Sequence, residues 1–170
     1  MNNIILRELT PQDIISTSGY VSWLNDPEIN KYLESRHITH TVDSVRSYVK
    51  TMHDSENNRL YGIFLEDIHI GNIKIGNIDR RYNRADIGLL ISKEYWGKGI
   101  AKEAIRQAEL IAFNELGLHK VCAGMYSSNQ ASLKAFISNN WRLVGEYKDH
   151  AIDENGNYVG CFLVEKIRSI

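Results

Sequence analysis

Tyr95-Trp96-Gly97-Lys98-Gly99-Ile100-Ala101-Lys102-Glu103-Ala104 is the stretch on which the reading of this chain turns. Two glycines flank a lysine between an apolar run that ends at Ile91 and a segment with helical spacing. In that segment Ile100, Ala101, Ala104, Ile105, Ala108, Ile111 and Ala112 share one face, and Gly117 suits a left-handed cap at its end. Glycines at such a junction let the backbone aim several N–H groups at a ligand, at a helix end whose dipole favours anions. A pyrophosphate suits that geometry. A tight strand-to-helix connection without a ligand would use the same residues. The turn lacks GxxxxGK followed by Ser or Thr, which disfavours a P-loop nucleotide triphosphatase. It also lacks the third glycine and later acid of a dinucleotide fold.

Working outward, Ala85 to Ile91 reads as a strand just before the turn, and loss of alternation in Leu89-Leu90-Ile91 predicts cover on both faces. Leu60 to Leu65 and Ile68 to Ile75 form a hairpin around Glu66-Asp67, with a bulge expected between Ile70 and Ile73. The N-terminal third has a strand at Asn3 to Arg7 and then mostly helix. Helices are expected at Gln12 to Ser18, at Pro27 to about Leu33 after Asn25-Asp26, and at Val42 to Met52 behind the Thr41 cap. Downstream, His119 to Met125 is a strand and Asn129 to Asn139 a helix. Trp141 to Lys148 and Tyr158 to Val164 close the chain as a hairpin signalled by Asn155-Gly156.

Length and composition bound the rest. The 170 residues suit one domain spanning 1–170, with no repeat and no linker, and 43% apolar residues are enough for a full core. Twenty basic and twenty-one acidic side chains give a net charge of -1, so no global field holds nucleic acid, and any phosphate is held locally. The start MNNIILREL has no signal-sequence pattern, and no apolar run approaches the roughly 20 residues that span a bilayer. A cytoplasmic protein without membrane contact is expected. Cys122 and Cys161 lie in apolar strands without CxxC spacing and read as inert. His37, His40 and His53 lack the spacing of a metal site, so no metal is expected.

Trp96-Gly97-Lys98-Gly99-Ile100-Ala101 resembles the signature of the GCN5-related N-acetyltransferases (GNAT), Arg/Gln-x-x-Gly-x-Gly/Ala, with Trp at the first position. Trp23-Leu24-Asn25-Asp26-Pro27-Glu28-Ile29, Ala85-Asp86-Ile87-Gly88 and Asn129-Gln130-Ala131-Ser132 match in order and spacing. Together they are similar to the branch that acetylates ribosomal-protein N-termini, polyamines and nucleotide-linked amino sugars. The resemblance implies an α/β (α+β) domain with a mixed, mostly antiparallel twisted sheet of about seven strands and helices on both faces. It implies acetyl-CoA as cosubstrate and direct acetyl transfer to a primary amine.

Carried over by position, the backbone of Trp96, Gly97, Lys98, Gly99, Ile100, Ala101 and Lys102 holds the pyrophosphate. Leu90 and Ile91 pair with the pantetheine arm, and the Leu90 N–H faces the thioester oxygen, where a fixed donor contributes about 3 kcal/mol to catalysis. Asn129 binds pantetheine and Lys134 a cofactor phosphate. Ser132 protonates the departing thiolate, with Tyr126 as runner-up, because the tyrosine that many relatives carry seven residues after the asparagine is Phe136 here. A primary amine near pKa 10 must first lose a proton, and Asp86 or water accepts it. Taken without the resemblance, Asp86 fits equally a structural carboxylate paired with Arg84 or Arg81, and Asn129 with Ser132 fits an ordinary helix cap.

Trp23, Tyr32, Glu34 and Arg36 are candidates to line the acceptor entrance, with Arg36 suited to a phosphate or carboxylate. Read from residue type alone, Trp23 is a core aromatic and Arg36 a solvated loop side chain. The expected acceptor is a small-molecule amine such as an amino sugar. A protein N-terminus or a polyamine is the alternative, and a non-catalytic acyl-CoA-binding module the rival of another class. Exposed sheet edges offer a route to a homodimer.

Overall fold

The computed structural model describes residues 3–15 and 19–168. Seven strands make one sheet: β1 (Ile4–Glu8), β2 (Arg59–Leu65), β3 (Ile68–Asp79), β4 (Arg84–Ile91), β5 (Lys120–Tyr126), β6 (Arg142–Ile152) and β7 (Tyr158–Ile167). Their order across the sheet is β1-β2-β3-β4-β5-β7-β6, and every pair is antiparallel except β4 with β5. The mixed, mostly antiparallel seven-stranded sheet inferred from the sequence is the one observed. Helices α1 (Gly19–Asn25), α2 (Pro27–Asn30), α3 (Val42–His53), α4 (Ile100–Leu110) and α5 (Gln130–Ile137) pack around it.

Alternation along the strands divides the core between the two faces. Ile73, Ile75, Ala85, Ile87, Ile91 and Val121 face Ile100, Ala104, Ile105 and Ala108 of α4, together with Phe136 of α5. Leu60 and Phe64 face Tyr20, Trp23 and Leu24 of α1 and Val45 and Val49 of α3. Leu90 packs against this second cluster. The expected bulge is present: the β2–β3 register steps from Ile63↔Gly71 to Phe64↔His69, which leaves Ile70 as the extra residue.

Three expectations need correction. The helix over Gln12 to Ser18 is a 3-10 turn at Pro11–Asp13, with Thr10 and Asp13 closing a capping box; residues 16–18 lie outside the described residues. The helix running to Leu33 ends at Asn30, and a 3-10 turn follows at Glu34–His37. Strand β4 is covered on both faces only at its C-terminal end, since Asp86 and Gly88 are exposed and a Cβ at Gly88 would meet nothing within 4 Å.

Candidate active site

The opening between β4 and β5 positions the site. Parallel pairing is confined to Arg84↔Lys120, Ala85↔Val121 and Asp86↔Cys122. Past these residues β4 keeps β3 as far as Gly71↔Ile91, and β5 keeps β7 as far as Tyr126↔Cys161, so the two strands diverge from each other. One edge of Leu89 to Ile91 is therefore without a strand partner.

Register decides which groups that edge offers. The β3–β4 pairing is unbroken from Gly76↔Asp86 to Gly71↔Ile91, and Ser92 N–H donates to Ile70 O at 2.9 Å. Alternation then turns the N–H and C=O of Leu90 toward β3, and those of Leu89 and Ile91 toward the opening. The sequence reading assigned the thioester-facing donor to Leu90, and the register corrects this: its N–H lies opposite Asn72 inside the β3–β4 ladder. Leu89 was legible only as part of an apolar run, since the parity depends on where β3 aligns.

At the top of the opening Gly97 and Gly99 have φ of 71° and 78°, the left-handed region that favours glycine. Gly99 caps α4, and a Cβ at either glycine would meet nothing within 4 Å, so a ligand can approach the backbone. Glu103 N–H is the first in the helix to bond back, to Gly99 O at 3.2 Å. The N–H groups of Ile100, Ala101 and Lys102 precede it and point out of the helix end, as an anion requires. Trp96 anchors the turn by donating its indole N–H to Ile91 O at 2.8 Å. Lys98 holds its ammonium 5.1 Å from the Tyr95 ring centre.

On the other side of the opening Asn129 caps α5, its Oδ1 accepting Ser132 N–H at 3.2 Å. The Ser132 side chain is half-buried, Lys134 is exposed, and Phe136 is fully buried with its ring edge-on to Trp141 at 4.7 Å.

The mouth is built from the 3-10 turn and the end of β5. Tyr126 Oη donates to Glu34 Oε1 at 3.0 Å and accepts from Arg36 Nη1 at 2.8 Å. The other guanidinium arm of Arg36 donates to Ile152 O in β6. Tyr32 stands edge-on to Tyr126, ring centres 6.1 Å apart. Arg36 therefore orients Tyr126 and fastens the turn to β6 through its two outer nitrogens, rather than lying solvated in a loop, while its Nε is buried without a partner; Glu34 is the charged group exposed beside Tyr126. Trp23 is also corrected. It is 8% exposed, with its ring 5.1 Å from His69, and belongs to the core.

Asp86 is exposed on the open face of β4 and accepts from Asn77 Nδ2 at 2.9 Å, whereas Arg84 pairs with Asp79 at 3.8 Å. Neither arginine expected as a partner takes it. Asn77, Asp79, Arg84, Asp86 and Cys122 line a cavity of about 370 Å³. Burial pushes the thiols of Cys122 and Cys161 up, which suits inert cysteines. Among the described residues no three His, Cys, Asp or Glu side chains are grouped to hold a metal, and no helix is long and apolar enough to cross a membrane.

This architecture recurs in known proteins. Over 161 residues the chain is 26% identical to the prophage-derived uncharacterized N-acetyltransferase YokL of Bacillus subtilis, covering 94% of this chain and 88% of that one. The crystal structure of spermidine N-acetyltransferase from Vibrio cholerae in complex with CoA and spermine superposes with a TM-score of 0.86 at 19% identity, covering 96% and 95% of the two chains. RimL, a ribosomal L7/L12 alpha-N-protein acetyltransferase in complex with coenzyme A, gives 0.87 at 17% identity, covering 98% and 95%. The family model described as acetyltransferase (GNAT) domain matches residues 3–140. With the glycine turn, the diverging strands and this match in agreement, the chain belongs to the GNAT acetyltransferases, a family whose cosubstrate is acetyl-CoA.

Proposed function

We propose that the protein transfers acetyl directly to the primary amine of a small cationic molecule bound over the β4–β5 opening. The observation that carries the acceptor assignment is the Glu34–Tyr126–Arg36 arrangement. With Arg36 engaged by Tyr126 and Ile152, the group presented beside Tyr126 is the Glu34 carboxylate, which attracts an ammonium rather than a phosphate. The protein's own cations already lie over the two rings, Lys31 Nζ 4.9 Å from the Tyr32 centre and Arg36 5.6 Å from that of Tyr126, so the attraction for an acceptor rests on the Glu34 carboxylate.

Acetyl-CoA supplies an acetyl group already activated as a thioester. N–H groups of Gly97 to Lys102 hold its pyrophosphate, and the β4 edge receives the pantetheine arm at Ile91 and then at Leu89, which lies farther from the turn. The Leu89 N–H is the donor that stabilises charge on the thioester oxygen, at about 3 kcal/mol. Asn129 contributes its side-chain amide to the same arm, and the exposed Lys134 of α5 is assigned to an outlying phosphate.

Asp86 lies three residues before Leu89, about 10 Å along the strand. It takes the amine proton through water, not directly. Ser132 returns a proton to sulfur from the first turn of α5, and Tyr126 orients the amine. Thiol release from acetyl-CoA against polyamines, amino sugars, amino acids and peptides with free N-termini tests the assignment. Turnover with polyamines above the rest supports it, and turnover confined to peptides moves the acceptor to protein N-termini.

A further inference from the structure

Asn139 joins the two helices that flank the cofactor opening. It follows α5, is 7% exposed, and donates from Nδ2 to Lys102 O at 2.8 Å and to Ala135 O at 3.2 Å. Lys102 sits in the first turn of α4, among the residues whose N–H groups face the pyrophosphate. Its carbonyl has a second lone pair, so it can accept Asn139 and keep its helical bond. The Asn139 carbonyl in turn accepts Lys166 Nζ of β7 at 2.7 Å.

A second tether holds α4 farther along. Glu109 accepts Lys166 Nζ at 2.6 Å and the indole N–H of Trp141. Seven residues separate Lys102 from Glu109, about 10 Å of helix. The Glu109 tether fixes the body of α4, whereas the Asn139 tether acts on the turn that carries the anion donors.

We infer that Asn139 is a positioning residue for acetyl-CoA: by bonding Lys102 it sets the separation between the α4 start, which takes the pyrophosphate, and α5, whose start at Asn129 and Ser132 meets the far end of the pantetheine arm. The inference rests on the cofactor placement proposed above. Loss of the bond lets the two walls of the opening shift independently, and a displacement near 1 Å between fixed binding groups is costly.

The test compares Asn139→Ala and Asn139→Asp with Trp141→Phe, which removes one of the two bonds to Glu109 and leaves Asn139 and the Lys166–Glu109 bond in place. Calorimetry with CoA and steady-state kinetics are run beside thermal melts. In both Asn139 variants the Kd for CoA and the KM for acetyl-CoA rise together about tenfold, the scale of one lost buried hydrogen bond, while the KM for the amine stays within about twofold. Trp141→Phe lowers the melting temperature and leaves CoA affinity unchanged. Should Asn139→Ala not fold, the nearly isosteric Asn139→Asp carries the comparison. Unchanged CoA affinity in Asn139→Asp, or equal weakening in Trp141→Phe, overturns the positioning role. Failure of the unmutated protein to bind CoA overturns the cofactor placement itself.

Discussion

The indole N–H of Trp96 donates to the carbonyl of Ile91 at 2.8 Å, tying the glycine turn to the strand edge that receives the cofactor. Trp96→Phe keeps an aromatic ring, smaller than the indole, and removes the donor. The expected result is a KM for acetyl-CoA raised about fivefold, in line with roughly 1 kcal/mol for one hydrogen bond. Trp96 is 48% exposed, while Trp23 and Trp141 are buried at 8% and 3%. Tryptophan emission should therefore change on CoA addition in the unmutated protein and stay flat in Trp96→Phe.

Gly99 separates fold from ligand in a different way. Its φ of 78° places Gly99→Ala in strain, at about 1–2 kcal/mol for an L-residue in the left-handed region. The added methyl meets nothing in the protein, but it enters the space above the α4 start. A fall of a few degrees in melting temperature is expected, together with a much larger loss of CoA affinity by calorimetry. A loss confined to stability would show that no ligand approaches this backbone.

Ser132 and Tyr126 are assigned separable roles. Ser132→Ala should lower kcat about a hundredfold, the scale of lost general-acid catalysis, with CoA affinity intact. Tyr126→Phe removes the hydroxyl that bridges Glu34 and Arg36, and should raise the acceptor KM with a smaller effect on kcat. The reverse pattern of KM and kcat would exchange the two roles.

Glycine spacing, helix caps and strand periodicity were legible in the chain because each is a local property. Thr41 does close α3 with a capping box, and Asp26 caps α2 by accepting Glu28 N–H at 2.9 Å. What escaped depends on alignment between distant segments. The Leu89 N–H, not that of Leu90, faces the opening because Ser92 pairs with Ile70, and no residue type in β4 encodes that parity. Arg36 looked free because its partners, Tyr126 and Ile152, lie 90 and 116 residues away. Asn77, which holds Asp86, and Asn139, which holds α4, gave no signal at all, since asparagine at a strand or helix end is ordinary punctuation.

His69 makes stability depend on pH. Its ring is stacked on Phe64 at 4.9 Å, faces Trp23 at 5.1 Å and Tyr20 at 6.4 Å, and its Nε2 is 2.8 Å from Asn72 Oδ1. Burial holds the imidazole pKa below its ordinary value, outweighing the opposing hydrogen bond to Asn72. On acidification the unfolded chain takes up this proton first, so the contribution is complete above about pH 6.5 and is lost as pH falls toward the lowered native value. In melts between pH 8 and 5, His69→Gln should lose less stability over that range than the unmutated protein. Parallel curves would remove His69 as the source.

Acetyl transfer to a cationic amine at the Glu34–Tyr126 mouth is tested most directly by thiol release from acetyl-CoA with spermidine as acceptor, in the unmutated protein and in Glu34→Gln. The expected result is turnover whose spermidine KM rises at least tenfold in Glu34→Gln, with the KM for acetyl-CoA unchanged. Thiol release that is absent with every polyamine yet present with an uncharged amine, or a spermidine KM indifferent to Glu34→Gln, would contradict it.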